Sequence, residues 1–397
     1  MSAHGPLFGE SVLDLTRAFG GPLCTMMLGE MGAEVIKVEE PSSGDETRTW
    51  PVKLGAGLST YFATLNRNKQ SVTLNLKSDE GRAVALELAG RSGIFVENFT
   101  PGVADRLGVG NEAIRSKRPD VIYCSISGFG QNGPYRDRKG YDPILQAMGG
   151  LMGVTGEKGG GPIKSMIPVA DIAAGLAASN AIFAAIVHRE KTGEGQYLDI
   201  SMMDVMVSLT TILGTAVLNG GRVPPRSGTE NPVRVPSAAF ECSDGKYLQL
   251  VPNQRQWKSF CDVVGAPELA DDPRFIDNLA RIDNQDALYS RLCAIFRTRT
   301  SAEWEDKLLA AGIPAGPILL LDELFQNPQV VAREMVFKYD HPTGGPVKAL
   351  NLPFRMSASP VRMNRVPPDL GEHTDEILKS LGRSPEDILR MRESGVV

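Results

Sequence analysis

Between Ser11 and Ser127 the chain alternates short β-branched runs with helical patterns: SVLDLT, GPLCTMMLGEMGA, EVIKVEE, QSVTLNL, DEGRAVALELAGRS, GIFVENF and DVIYCSIS follow in that order. Strands separated by helices cannot pair as tight hairpins, so they must lie parallel, with the helices crossing over their faces. The near-continuous hydrophobicity of GIFVENF and DVIYCSIS fits strands covered on both sides. The predicted fold class is α/β, a Rossmann-like parallel sheet forming a large N-terminal domain.

After Gly140 the pattern turns helical, through YDPILQAMGGLMGV and an Ala-rich stretch from Asp171 to about Glu190 that Gly193 and Gly195 close. A strand-like QYLDIS and an apolar helix, MMDVMVSLTTILGTAVL, complete residues 1–218. The breaker-rich segment 219–237 reads as a linker. Beyond it, AAFECSDGKYLQLVPN reads as a hairpin turning at Asp244-Gly245, followed by helical patterns, which makes 238–325 a smaller α+β domain. VVAREMV reads as helix, and LGEHTDEILKSLG lies in a C-terminal segment, 326–397.

The formal net charge is -5, from 42 Lys and Arg against 47 Asp and Glu, so no broad cationic field exists to hold nucleic acid or an anionic membrane. Cys24, Cys124, Cys242, Cys261 and Cys293 are scattered and contain no C-x-x-C pair, which predicts reduced thiols and a cytoplasmic setting. The opening MSAHGPLFGESVLDLT has no basic segment followed by an apolar run, so no secretory signal is expected. The apolar stretch from Ile167 carries Asp171, Ser179 and Asn180, which favours a buried globular helix over a membrane span. His4, His188, His341 and His373 form no metal-binding spacing, and no metal is expected.

Asp171 follows Pro168-Val169-Ala170 and opens a helix rich in Ala and Gly. Its carboxylate would sit, ionised and reachable, at a positive helix end. On local sequence alone an N-cap aspartate is the commoner explanation for a lone Asp before a helix, and only wider context can reverse it. Gly128-Phe129-Gly130-Gln131-Asn132-Gly133 matches G-x-G-x-x-G after a strand, but the polar loop from Pro134 to Gly140 follows where a dinucleotide site needs a helix. Arg17, Lys37, Lys77, Arg106 and Lys139 recur at loop and helix starts near the sheet, and because open α/β sheets bind ligands at strand ends, several could converge on a phosphorylated cofactor.

Taken together, VLDLTRAFGGP, LGEMGAEVIKVEEP, NRNKQSVTLNLK, VENFTPGVADRLG, SISGFGQNGP, KGYDPILQAMGGLM, PVADIAAG, GEGQYLDISM and GEHTDEIL make the chain resemble the class III CoA-transferases, over nearly its whole length. That family includes formyl-CoA transferase and carnitine CoA-transferase, with the 2-methylacyl-CoA racemases as relatives. The resemblance implies an interlocked homodimer, with 326–397 returning to the large domain. It implies Asp171 as the covalent nucleophile, and a CoA path along Arg17, Leu74, Lys77, Asn98, Phe99, Arg106, Lys139 and Met202. Phe19, Trp50, Tyr61 and Tyr141 would lie near the acyl group. Coenzyme A and its thioesters enter as substrates, beside small carboxylic acids, and no tightly bound cofactor is implied.

Two departures narrow the branch. The racemases carry histidine in a G-H-D context where this chain has Gly140-Tyr141-Asp142, and tyrosine, with a reference pKa near 10, is a poor base at neutral pH. Racemisation is therefore the alternative rather than the first reading. Formyl-CoA transferases have a glycine-rich lid where this chain reads PRSGTENPVRVP, and glutamine where Phe19 stands. The expected acids are therefore others: succinyl-CoA as donor and a dicarboxylate such as mesaconate, citramalate or glutarate as acceptor. Arg48, Arg136 or Arg138 could hold a distal carboxylate bidentately. A non-catalytic CoA-binding protein is a further rival, against which the retained Asp171 argues.

Overall fold

The structure is a computed structural model that describes residues 4–397. The alternation of strand and helix gives the parallel sheet expected: β1 (Ser11–Asp14), β2 (Glu34–Glu39), β3 (Lys69–Thr73), β4 (Ile94–Glu97), β5 (Ile122–Ser127) and β6 (Tyr197–Ser201) pair in the order β3-β2-β1-β4-β5-β6. Every neighbouring pair is parallel. This is the 3-2-1-4-5-6 order of Rossmann-type sheets, whose direction of winding reverses between β1 and β4. Loops leaving the carboxyl ends of those two strands diverge there and leave a crevice.

Four helices frame that crevice: α1 (Gly20–Glu30), α2 (Asp142–Met148), α3 (Val169–Thr192) and α4 (Met202–Leu209). In α3 the buried positions Ala170, Ala174, Ala178, Ile182 and Ala185 recur every three or four residues, so one face is a strip of small side chains. That strip lets α1 approach until a Cβ on Gly175 would stand 2.7 Å from the Gly20 carbonyl oxygen. A left-handed Gly193, at φ +77, ends the helix. By length and composition α3 could cross a membrane, but its small-residue face is buried in the core shared with α1 and the sheet.

The chain divides into two compact units. The first comprises 1–151, 165–211 and 329–397; the second comprises 152–164 and 212–328, so 212–237 groups with 238–325. The second unit is α+β. Ala238–Glu241 and Tyr247–Leu250 form an antiparallel hairpin across a left-handed Gly245, and Ala315–Pro317 adds a third strand. Its own core is aromatic, built on Phe240, Phe260, Phe275, Phe296 and Trp304.

Two helical expectations are revised. The run MMDVMVSLTTILGTAVL is broken at Thr211, whose φ of +38 leaves α4 and a separate helix, Thr211–Leu218. VVAREMV holds only the end of a short helix, Pro328–Ala332, because Val336–His341 pairs as a strand with Gly345–Leu350. In the first unit, the C-terminal segment lies along the outer edge of β3: the Asn68 N–H donates to the Arg365 carbonyl at 2.9 Å and the His373 N–H to the Ser71 carbonyl at 2.9 Å. An edge that would otherwise offer unpaired backbone groups is thereby covered.

Candidate active site

A cavity of about 550 Å³ opens at the carboxyl ends of β1, β4, β5 and β6, on both sides of the point where the strand order reverses. Its walls bring together Asp171, Arg17, Phe19, Asn98, Phe99, Lys139, Tyr141, Trp50, Tyr61 and Met202 from segments far apart in sequence. Leu74, Lys77 and Arg106 are not among its lining residues. Leu74 is buried in the core on the sheet's other face, with Val72 and Val84, whereas Lys77 and Arg106 are exposed.

Asp171 is not the N-cap of its helix. Pro168 takes that position, which leaves Asp171 third in the first turn and its carboxylate uncommitted to capping. The capping bond comes from another element: the Ala170 N–H donates to Asp142 Oδ1 at 2.9 Å. Across the cavity floor α1 begins with Gly20, whose N–H donates to the Asp171 carboxylate. A Cβ on Gly20 would meet the Asp171 carbonyl oxygen at 3.0 Å, so the closeness depends on glycine. The amino ends of α1 and α3 thus converge on one carboxylate, where their partial positive charge favours a developing anion.

Burial and the neighbouring Asp142 carboxylate push Asp171 up to about 7, against the pull of the Gly20 hydrogen bond. At neutral pH the protonated form therefore competes with the ionised form expected from the sequence. The ionised form is correspondingly more basic, and so a better nucleophile than an ordinary exposed carboxylate.

The turn carrying Arg17 to Phe19 is held from below. Asn98 clamps the Arg17 backbone from both sides, accepting its N–H at 2.8 Å through Oδ1 and donating Nδ2 to its carbonyl at 2.8 Å. The Arg17 side chain is left to lie over the Phe99 ring, 5.7 Å from its centroid. Ala18 sits in the left-handed region, at φ +63, with its N–H 3.3 Å from Asp45 Oδ1. Lys37, which the sequence grouped with cations available to a phosphate, is instead wholly buried. Its Nζ pairs with Asp45 Oδ2 at 3.0 Å and donates to the Thr16 carbonyl at 2.7 Å. Burial would lift the Asp45 pKa, but Lys37 and the Thr47 hydrogen bonds outweigh it and hold it low.

Arg48 is likewise committed. It grips Glu39 bidentately, at 2.8 and 2.7 Å, donates to the Pro368 carbonyl at 3.1 Å, and stacks on Phe62. Arg136 approaches Asp137 at 3.7 Å. Of the three arginines weighed for a distal carboxylate, only Arg138 lines the cavity, its guanidinium 3.8 Å over the Tyr135 ring. Trp50 and Tyr61 meet edge to face at 5.0 Å, forming an aromatic wall.

Gly128-Phe129-Gly130-Gln131-Asn132-Gly133 is followed by a loop that reaches α2, not by a helix that could cradle a pyrophosphate. Its first glycine has a different use, since Gly128 and Gly140 cross so closely that a Cβ on either would fall within 2.6 Å of the other's Cα. Sequence reasoning missed Gly20, Asp45, Asp142 and Gln146. Of these, only Asp142 carries a local signal, as an acidic residue followed by proline at a helix start.

A family model described as CoA-transferase family III matches residues 7–374. The chain is 39% identical over 393 residues to a succinyl-CoA:glutarate CoA-transferase of Mus musculus, covering 99% of this chain and 90% of that one. It is 36% identical over 408 residues to a formyl-CoA:oxalate CoA-transferase of Streptomyces avermitilis, covering 98% and 99% respectively. The crystal structure of a CAIB/BAIF family protein from Brucella suis matches with a TM-score of 0.85 and 36% identity, over 95% of this chain and 100% of that one.

Proposed function

Because the chain belongs to CoA-transferase family III and is an enzyme of CoA transfer, we propose that it moves CoA between dicarboxylic acids by covalent catalysis at Asp171, with succinyl-CoA as donor. The observation that carries this reading is a reachable carboxylate at the meeting point of two helix amino ends, inside a cavity at the switch point of the sheet.

An Asp171 oxygen attacks the thioester carbonyl carbon, the carbon–sulfur bond breaks, and CoA leaves as thiolate, which gives a mixed anhydride. The thiolate then attacks the aspartyl carbonyl carbon and expels the donor carboxylate, leaving an aspartyl-CoA thioester. The acceptor carboxylate attacks that carbonyl, the thiolate departs again, and its attack on the acceptor's acyl carbon frees the new thioester and restores Asp171. No net proton is consumed, and one activated acyl bond replaces another at each step. The protein's task is positioning, together with stabilisation of each oxyanion by donors such as the Gly20 N–H.

A dicarboxylate preference is supported by Arg138, which lines the cavity and forms no ion pair among the described residues. Succinyl-CoA with glutarate should yield glutaryl-CoA, while a 2-methylacyl-CoA should take up no deuterium from heavy water. Deuterium uptake without CoA transfer would put the racemase reading in its place. Arg138→Leu should raise KM for glutarate by roughly 10- to 100-fold and leave a monocarboxylic acceptor little changed, as expected when a site built for a polar group loses its partner. Equal effects on both acceptors would remove Arg138 from the acid site.

We further propose a homodimer in the cytoplasm. Ile144, Met166, Ile167, Leu176, Val187 and Val207 of the first unit are exposed apolar side chains on or beside α2, α3 and α4, which suits a face covered by a second copy. The cysteines of the described residues are all free, as suits a reducing compartment.

A further inference from the structure

We propose that Asp142 and Gln146, one turn apart on α2, are positioning residues for Asp171, clamping the segment that leads into α3 and the first turn of that helix. The inference rests on the reading of Asp171 as nucleophile.

Both side chains are almost fully buried, Asp142 at 7% exposure and Gln146 at 0%. Residues four apart on a helix share a face, and here they act as one unit: Gln146 Nε2 donates to Asp142 Oδ2 at 2.8 Å. Asp142 Oδ1 takes the Ala170 N–H at 2.9 Å. Gln146 faces the same segment with both ends of its amide. Its Oε1 accepts the Ser165 N–H at 2.9 Å, and its Nε2 lies 3.3 Å from each of the Ser165 and Ile167 carbonyl oxygens. The Ser165 Oγ accepts the Ile167 N–H at 3.1 Å, which closes the turn before Pro168.

Ser165 and Ile167 before the helix, and Ala170 at its second position, therefore hang on two side chains of α2. Such a segment has no regular structure of its own to fix it. Without the clamp the amino end of α3 would be free to fray, and with it the direction of the Asp171 side chain. Asp142 also brings a negative charge to the first turn. That charge is attracted to the helix end and opposes ionisation of Asp171. The groups facing Asp171 are Asp142 from α2, the Gly20 N–H from α1, and, around the cavity, Arg17, Glu46, Tyr61, Arg138, Lys139 and Tyr141.

The test is the pH dependence of kcat/KM for CoA transfer, measured on the full-length wild type, Asp142→Asn and Gln146→Met. Ionised Asp171 is the attacking form, so wild-type kcat/KM falls as pH drops through about 7. Asp142→Asn keeps an oxygen for the Ala170 N–H, removes the charge and sets an NH2 against Gln146 Nε2, so the position of its limb, not its kcat, reports the charge. Its acidic limb should move down by about one pH unit, and the ratio of rates at pH 6 and pH 8 should rise about five-fold. Gln146→Met keeps the charge and loses the clamp, so kcat should fall at least about ten-fold with the limb unmoved. A wild-type limb and wild-type kcat in Asp142→Asn, or an unchanged kcat in Gln146→Met, overturns the proposal. Should Asp142→Asn fail to fold, the Gln146→Met kcat decides alone. Failure of the wild type to form an adduct on Asp171 would instead remove the nucleophile reading, which separates the two failures.

Discussion

Asp171→Asn should abolish CoA transfer, by on the order of 10³-fold or more, and carry no adduct after incubation with succinyl-CoA and trapping with hydroxylamine or borohydride. The amide is nearly the same size and keeps an oxygen for the Gly20 N–H, so the loss would reflect chemistry rather than collapse. The wild type should show one labelled peptide, containing Asp171, by mass spectrometry. A label elsewhere, or transfer at wild-type rate in the variant, would end the covalent reading.

The same substitution should stabilise the fold, and the sign follows from the protonation equilibrium. Asp171 has a folded pKa of about 7 against an ordinary 3.8, so the folded state holds its proton more tightly than the unfolded chain. The wild type therefore loses stability as pH rises from about 4 through 7. Asp171→Asn escapes that loss. The difference should be near zero at pH 4 and reach on the order of 1–3 kcal/mol at pH 8, a range lowered because the side chain is partly exposed. Denaturant melts at the two pH values measure it. A catalytic group held against its own preference commonly behaves this way.

Gly140→Ala should cost much stability for a single methyl added near the site. The new Cβ would lie 2.4 Å from the Gly128 Cα and 3.0 Å from Leu145 Cδ2, and the first of these is backbone that no rotamer change can move aside. Overpacking usually costs about 1–3 kcal/mol, and a backbone-on-backbone clash belongs at or above the top of that range. Activity should fall by about 10²-fold or more, because parting the two strands of chain displaces Lys139, Tyr141 and Asp142 together. Gly161→Ala, where a Cβ meets nothing within 4 Å, is the matched control and should change stability by less than about 0.5 kcal/mol. Equal melting of the two variants would refute the steric argument.

The sheet was legible in the sequence because short apolar runs alternate with helical patterns along the chain, and six such runs leave few topologies open. Asp171 was legible only through its wider context, since an aspartate before a helix usually caps it. Even then its raised pKa was not legible: it comes first from burial and then from Asp142, brought beside it by the packing of α2 on α3 from 29 positions upstream. Lys37 and Arg48 looked like available cations because sequence does not reveal that Asp45 and Glu39 fold back upon them. Gln146 gave no signal, as a glutamine inside a helix is ordinarily a solvated one. What escaped the sequence was the set of long-range polar pairings, whose partners depend on the tertiary fold rather than on spacing.

The strap across β3 also sets an order of events on the ribosome. About 300 residues separate Ser71 and Thr73 from the His373 and Thr374 that cover them. At 5–20 residues per second, the nascent sheet carries a bare edge for on the order of 15–60 s before its cover is made. Two chains emerging side by side on one messenger could join at that edge. Slow decoding between these segments should therefore favour aggregates over soluble enzyme, whereas in the finished protein the β3 edge is covered.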